Sequence, residues 1–298
     1  FERVLVPVGN ALERPFSDNP PLSIDQAGGP ALWDDQHRLF VATNPDGDLE
    51  HHDVLNGRLV ASTNALPGDP IAMDLVSYEG IEVLRVLSGD PDVQIFLFHP
   101  QTLEEIFSTT LVAGAGAVYQ QSVHFTGGVK DPILFGNQGG TLYLVQLVGE
   151  FMNPNLLDQN STAFGNVCNL HETGGSLFAS EAQATFPVEL DLSSDTIQVG
   201  SPLSSGYGGA PISWASGSFV FYADGAIQDV RDGSVRDNLF SGFPLGIFGR
   251  DTEDILWVWD GDGPRVYGFV KPLLDLRYEM RIPTSQPLLV PFGTHTTL

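Results

Sequence analysis

Short apolar runs, each closed by a glycine-bearing turn and followed by a second alternating run, recur along the whole chain at intervals of about 40 residues. Four copies are plain. Residues 38–44 (RLFVATN) pass through Pro45-Asp46-Gly47 into 48–53, and residues 133–137 (ILFGN) pass through Gly139-Gly140 into 141–147. Residues 219–223 (FVFYA) turn at Asp224-Gly225, and residues 255–260 (ILWVWD) turn at Gly261-Asp262-Gly263. Glycine accepts the positive φ of a tight hairpin turn, so each copy reads as a β-hairpin. Weaker copies sit near Gly9, Gly89 and Glu181, which makes seven in all.

A second repeat precedes the hairpins: a Gly or Pro followed by a short apolar strand. It occurs at Pro30, Pro70, Pro211, Pro244 and Pro287. Proline at a strand's first position sacrifices no interior ladder bond. The last such strand, 287–292, has no hairpin after it, and the first hairpin has no such strand before it. Joining them makes one complete unit, already counted among the seven, from the two termini and removes exposed strand edges. The expected fold is therefore all-β: a seven-bladed β-propeller of four-stranded blades spanning 1–298 as a single domain, its ring closed by N- and C-terminal strands in one blade. Six or eight blades are the alternatives.

Composition agrees. The 33 Gly and 21 Pro suit many turns, and 42% hydrophobic residues suffice for a core. Against 13 basic residues stand 37 acidic ones, a net charge of −24 that repels phosphate backbones and anionic membranes, so neither nucleic acid nor membrane insertion is expected. The charge itself reads first as a solubility device, with a cationic partner or bound divalent ions as the alternatives. Cys168 is the sole cysteine, so no intrachain disulfide forms and the thiol is expected to be structural. The chain begins at Phe1 without an apolar leader and carries an Asn160-Ser161-Thr162 sequon. Both fit a secreted, periplasmic or cell-surface protein.

An outer turn follows two of the hairpins with one spacing: Asp53-Val54-Leu55-Asn56-Gly57 and Asp229-Val230-Arg231-Asp232-Gly233. His99-Pro100-Gln101-Thr102 looks like a degenerate version. The pattern resembles the repeat of PQQ-type, quinoprotein-like propellers, at the level of fold alone. The quinone enzymes of that superfamily have eight blades, a cofactor constellation and a bound cation, and no such set maps onto this chain, so no cofactor is implied. Trp259-Asp260 is similar to the WD dipeptide of other propellers but ends the wrong strand and lacks the accompanying Gly-His. Residues 149–165 carry Asn, Pro, Asp and Gly without a strand pattern and read as a surface loop inserted in one blade.

No Gly-x-Ser-x-Gly, phosphate loop or His-Glu-x-x-His is present, so chemistry must be sought from geometry. In a propeller the middle hairpin turns and the entries to the innermost strands share one face. That rule gathers an acidic rim of Asp46, Asp48, Asp69, Asp90, Asp92, Asp224, Asp260 and Asp262, with Glu181 beside it. Asp46, Asp48, Asp260 and Asp262 are the metal candidates, and Ca2+ is the hard cation such carboxylates prefer. Against this stands ordinary turn chemistry, the commoner use of Asp-Gly. His51 and His52 point to opposite faces of one strand, so they do not share a metal, and Asp53 is expected to stabilise its turn. His124 and His171 are isolated, and Trp33, Trp214, Trp257 and Trp259 are expected to pack between blades.

The leading functional expectation is a non-catalytic, extracytoplasmic binding or scaffold propeller that offers an acidic face and loops to a protein or glycan partner. Two alternatives stand beside it: a hydrolase or lyase at the channel mouth, using rim carboxylates with a divalent ion, and a structural subunit of a surface assembly.

Overall fold

The computed structural model describes residues 3–8, 23–24, 27–34, 36, 38–43, 48–53, 56–64, 66–89, 91–161, 165, 167–173, 175–181, 186–203, 212–236, 248–251, 254–259, 265–281 and 287–291. Among these, six consecutive four-stranded sheets repeat one plan, in which each strand pairs with the next in sequence. The first blade comprises Ala27–Trp33, Arg38–Thr43, Asp48–Asp53 and Arg58–Thr63. The second comprises Asp69–Tyr78, Ile81–Gly89, Val93–Phe98 and Glu105–Val112; the third, Val118–Phe125, Ile133–Asn137, Leu142–Val148 and Asn153–Asn160. The fourth comprises Val167–Thr173, Ser176–Glu181, Val188–Asp191 and Gln198–Pro202, and the fifth Ile212–Ser216, Phe219–Tyr222, Ile227–Asp229 and Val235–Arg236. The sixth comprises Phe248–Asp251, Ile255–Trp259, Arg265–Val270 and Asp275–Arg281.

The second strand of each blade explains why the hairpins stand out in the sequence. Ile133–Asn137, Phe219–Tyr222 and Ile255–Trp259 are buried at every position. A strand covered on both faces reads as a continuous apolar run, because neither face can be polar. The covering comes from neighbouring blades. Val83, Leu87, Ile95 and Leu97 of the second blade pack with Ile133, Phe135 and Val145 of the third. Phe219 and Phe221 of the fifth pack with Leu256, Val258 and Phe269 of the sixth. Each such side chain contributes about 1.5–3 kcal/mol by leaving water.

The contacts fall into two compact units, one of Ala27–Leu170, Leu190–Val199 and His295–Leu298, the other of Phe1–Gln26, His171–Glu189 and Gly200–Thr294. The first holds the first three blades. The second holds the fifth and sixth, together with a three-stranded sheet of Ser23–Ile24, Arg3–Val8 and Pro287–Pro291.

Between the third and outer strands each blade has a residue with positive φ: Gly57 (59°), Leu103 (54°), Met152 (47°), Asp195 (56°, preceded by Ser194 at 63°), Gly233 (72°) and Leu274 (54°). The hydrogen bonds match as well. Gly233 N–H donates to Asp229 O at 2.8 Å and Leu103 N–H to His99 O at 2.8 Å. Asp229 N–H donates to Ser234 O and His99 N–H to Glu104 O, both at 2.9 Å. The first side chain caps the turn: Arg231 N–H donates to Asp229 Oδ1 at 3.0 Å, Ser193 N–H to Asp191 Oδ1 at 2.7 Å and Gln101 N–H to His99 Nδ1 at 3.3 Å. His99 therefore occupies the Asp position, as its spacing suggests. Asp53 caps its own turn through Asn56. Leu103, Met152 and Leu274 are buried, so a left-handed backbone there inserts an apolar side chain under the turn.

Two expectations need correction. Seven four-stranded blades were expected, and six are present among the described residues. The termini meet in a parallel pairing, Val4 opposite Pro287 through Val8 opposite Pro291, and with Ser23–Ile24 form three strands rather than a fourth-strand meander. The stretch 149–165 is no inserted loop, since Asn153–Asn160 is the outer strand of the third blade, paired along Leu142–Val148. Its outward faces meet water, which removes the apolar alternation, and an outer strand tolerates Pro154.

Candidate functional site

The meander sends turns to both ends of each blade. At one end lie the middle hairpin turn and the entry to the innermost strand; at the other lie the inner and outer hairpin turns.

At the first end, where the acidic rim was expected, the second blade forms a pocket of about 120 Å3 lined by Pro67, Gly68, Ser88, Gly89, Asp92 and Gln94. Gly89 makes the close approach there, because a Cβ would come within 2.6 Å of Ile71 Cδ1. Asp92 Oδ1 accepts the Gly114 N–H at 2.7 Å, and Asp69 sits opposite Gly89 at the head of its strand. In the fifth blade Asp224 Oδ1 accepts the Ala226 N–H of its own turn at 3.1 Å. Asp48 pairs opposite Thr43 at the head of its strand, and Glu181 ends its strand half-buried. Asp46, Asp90, Asp260 and Asp262 lie outside the described residues, and among the described ones no group of three or more His, Cys, Asp or Glu could hold a metal ion. Turn chemistry is what Asp92 and Asp224 visibly do.

At the opposite end a more open cleft of about 310 Å3 separates the inner hairpin tips of the second and third blades, lined by Ser77, Tyr78 and Glu79 on one side and by 128–131 on the other. Partial desolvation and the Glu79 carboxylate hold the Tyr78 phenol above its ordinary value. Its third-blade wall is fixed from within the protein. Arg85, fully buried, donates to both Asp74 oxygens at 2.8 and 2.6 Å and to the carbonyls of Gly127 and Gly128 at 2.9 and 3.0 Å, with its guanidinium carbon 4.0 Å from the Phe125 ring centroid. Arg85, the one basic residue in the run 81–89 and set between Leu84 and Val86, is the signal by which the sequence could have shown this clamp, and sequence reasoning missed it.

A second buried charge sits in the first blade. Arg38 pairs with Asp34 and reaches Glu82 of the second blade at 2.6 Å, while Asp34 also accepts the Gln36 and Arg38 N–H groups at 3.0 and 2.8 Å. Desolvation works against the charged guanidinium, but the hydrogen bonds to Glu82 and Asp34 prevail and hold its pKa above the ordinary value.

The histidines are not assembled for chemistry. His51 is buried and stacked on Phe40 at 4.8 Å, while His52 faces the other way and meets Glu50 at 2.7 Å. Burial pushes His51 below its usual value. His171 is buried against Phe178, its ring nitrogens without hydrogen-bond partners, and burial lowers its pKa to about 4. His124 is half-buried on the innermost strand of the third blade. Trp33, Trp257 and Trp259 are buried and serve packing; the side chains of Trp214 and Cys168 lie outside the described residues.

No protein-family model matches this chain, and no curated protein sequence does. Solved structures do. Sqt1 of Saccharomyces cerevisiae matches with a TM-score of 0.58 at 12% identity, over 84% of this chain and 72% of that one. The dihydro-heme d1 dehydrogenase NirN, solved in complex with DHE, matches with a TM-score of 0.55 at 15% identity over 89% of this chain, which spans 59% of NirN. Identities this low convey architecture and nothing of activity. With the six repeated sheets, they establish the chain as an all-β propeller of four-stranded blades.

Proposed function

We propose that this protein is a non-catalytic binding propeller that engages a basic partner protein through its acidic surface. One observation carries the reading. Of 13 basic residues, Arg38 and Arg85 are buried and paired with Asp34 and Asp74, so the other 11 stand against 35 acidic residues and the whole charge of −24 lies outside these two pairs. A surface with one sign of charge steers and orients an oppositely charged partner. Capture from native extract at low and high salt tests this, followed by binding of the purified partner to carboxylate-to-amide variants. A partner whose affinity falls with salt and with neutralisation supports the reading; recovery of none, or of one indifferent to both, overturns it.

We further propose that the terminal sheet closes the propeller, a role supported by the parallel pairing of Arg3–Val8 with Pro287–Pro291. Removing residues 287–298 should then lower the melting temperature of the whole domain in one transition. An unchanged melting curve would rule closure out.

A further inference from the structure

Of the nine large apolar side chains exposed among the described residues, five stand on the second and third blades. Ile81 (51% exposed) follows the inner hairpin turn of the second blade, Ile106 (41%) follows its outer turn, and Phe151 (81%) stands in the outer turn of the third. All three lie at the end that carries the 310 Å3 cleft, away from the predicted acidic rim. The two blades are neighbours in one compact unit, packed inner strand to inner strand and outer strand to outer strand. Each apolar residue is flanked by an exposed carboxylate: Ile81 by Glu79, Ile106 by Glu104 and Glu105, Phe151 by Glu150, while Glu82 is already held by Arg38. Between the tips, the cleft is lined by Tyr78 and Glu79 on one side and by the exposed Lys130 and Asp131 on the other, with Val129 buried in the core.

Resting on the binding reading above, we propose that this end of the second and third blades docks a cationic amphipathic segment of the partner. The segment's apolar residues meet Ile81, Ile106 and Phe151, and its lysines or arginines meet the adjacent carboxylates. Charge complementarity selects this occupant. A second copy of the chain would bring the same carboxylates face to face, and an anionic lipid surface would meet them with its own negative charge. The Arg85 clamp on Gly127 and Gly128 keeps the cleft preformed, which limits the ordering cost of binding.

The probe is a synthetic helical peptide with leucine and lysine on opposite faces, compared with a peptide of equal charge in which serine replaces leucine. Binding is read by fluorescence anisotropy at physiological salt. The leucine peptide should bind at least about tenfold more tightly than the serine peptide, and the doubly substituted Ile81→Ser, Phe151→Ser protein should lose at least about tenfold. Asp48→Asn, at the other end of the first blade, should change little. Because Ile81 and Phe151 are exposed, these substitutions spare the core, and circular dichroism verifies that the variants fold. Equal binding of both peptides, no binding of either, or indifference to the double substitution overturns this docking surface. Partner capture from extract would still succeed in each of those cases if the broader binding reading holds.

Discussion

Arg85 and Asp74 form a two-pronged ion pair, at 2.8 and 2.6 Å, between the second and first strands of one blade, with the arginine wholly shielded from water. Its remaining donors reach into the next blade. The pair thus links two sheets that otherwise meet through apolar contact.

Removing one partner leaves a buried charge uncompensated. Asp74→Ala should cost about 3 kcal/mol or more in urea unfolding, whereas replacing both residues, Arg85→Met with Asp74→Leu, should cost distinctly less. Equal losses would mean that the ion pair itself, rather than the stranded charge, governs stability.

His171 sets a pH dependence whose sign is fixed. Its pKa in the folded protein, about 4, lies below the unfolded value near 6.5, so the unfolded chain binds more protons between them. Stability should be complete above about pH 6.5 and decline towards pH 4, by up to about 3 kcal/mol from this residue. His51, lowered by burial in the same direction, adds to the decline. Urea midpoints measured from pH 7.5 to 4.5 should fall more steeply for the natural protein than for His171→Leu. Parallel profiles would contradict the assignment.

The outer turns separate residues that suit their backbone from residues that endure it. Gly57→Ala and Gly233→Ala place a Cβ at a φ of 59° and 72° and should each cost about 1 kcal/mol. At the equivalent position of the fourth blade, Asp195→Gly relieves a φ of 56° and should stabilise by about 0.5 kcal/mol. Thermal unfolding of the three variants checks both signs.

The rim aspartates predict a negative result for metal. If the remaining rim aspartates are spent on backbone N–H groups as Asp92 and Asp224 are, Ca2+ and Mg2+ at matched ionic strength should move the melting temperature equally, through screening of the charge. A Ca2+-selective gain near 2.7 kcal/mol, the value for a site at about 100 times its dissociation constant, would instead support Asp46, Asp48, Asp260 and Asp262 as ligands.

The hairpins were legible because strands such as Ile133–Asn137 are buried on both faces and carry uninterrupted apolar runs. Asn153–Asn160 was not, since an outer strand facing solvent owes the core no pattern. The outer turn was legible only where it is written Asp to Gly, at Asp53 and Asp229, with His99 as a faint copy. At Val148 to Met152 and Val270 to Leu274 the same backbone is held by an apolar side chain beneath the turn, and no local motif announces that. Asp53 could be placed at its turn from repeat position alone. The cleft end could not, because Ile81 and Phe151 are single apolar residues among polar ones and their common address exists only once the strands are paired.

The shared interiors between blades also decide how such a chain can change. Phe219 and Phe221 complete the packing of Leu256 and Val258, which belong to the following sheet. A substitution that alters volume at Phe221 is therefore best repaired in the sixth blade and not in its own. Libraries randomised one blade at a time would miss those compensations, whereas libraries randomised across each seam between adjacent blades would find them.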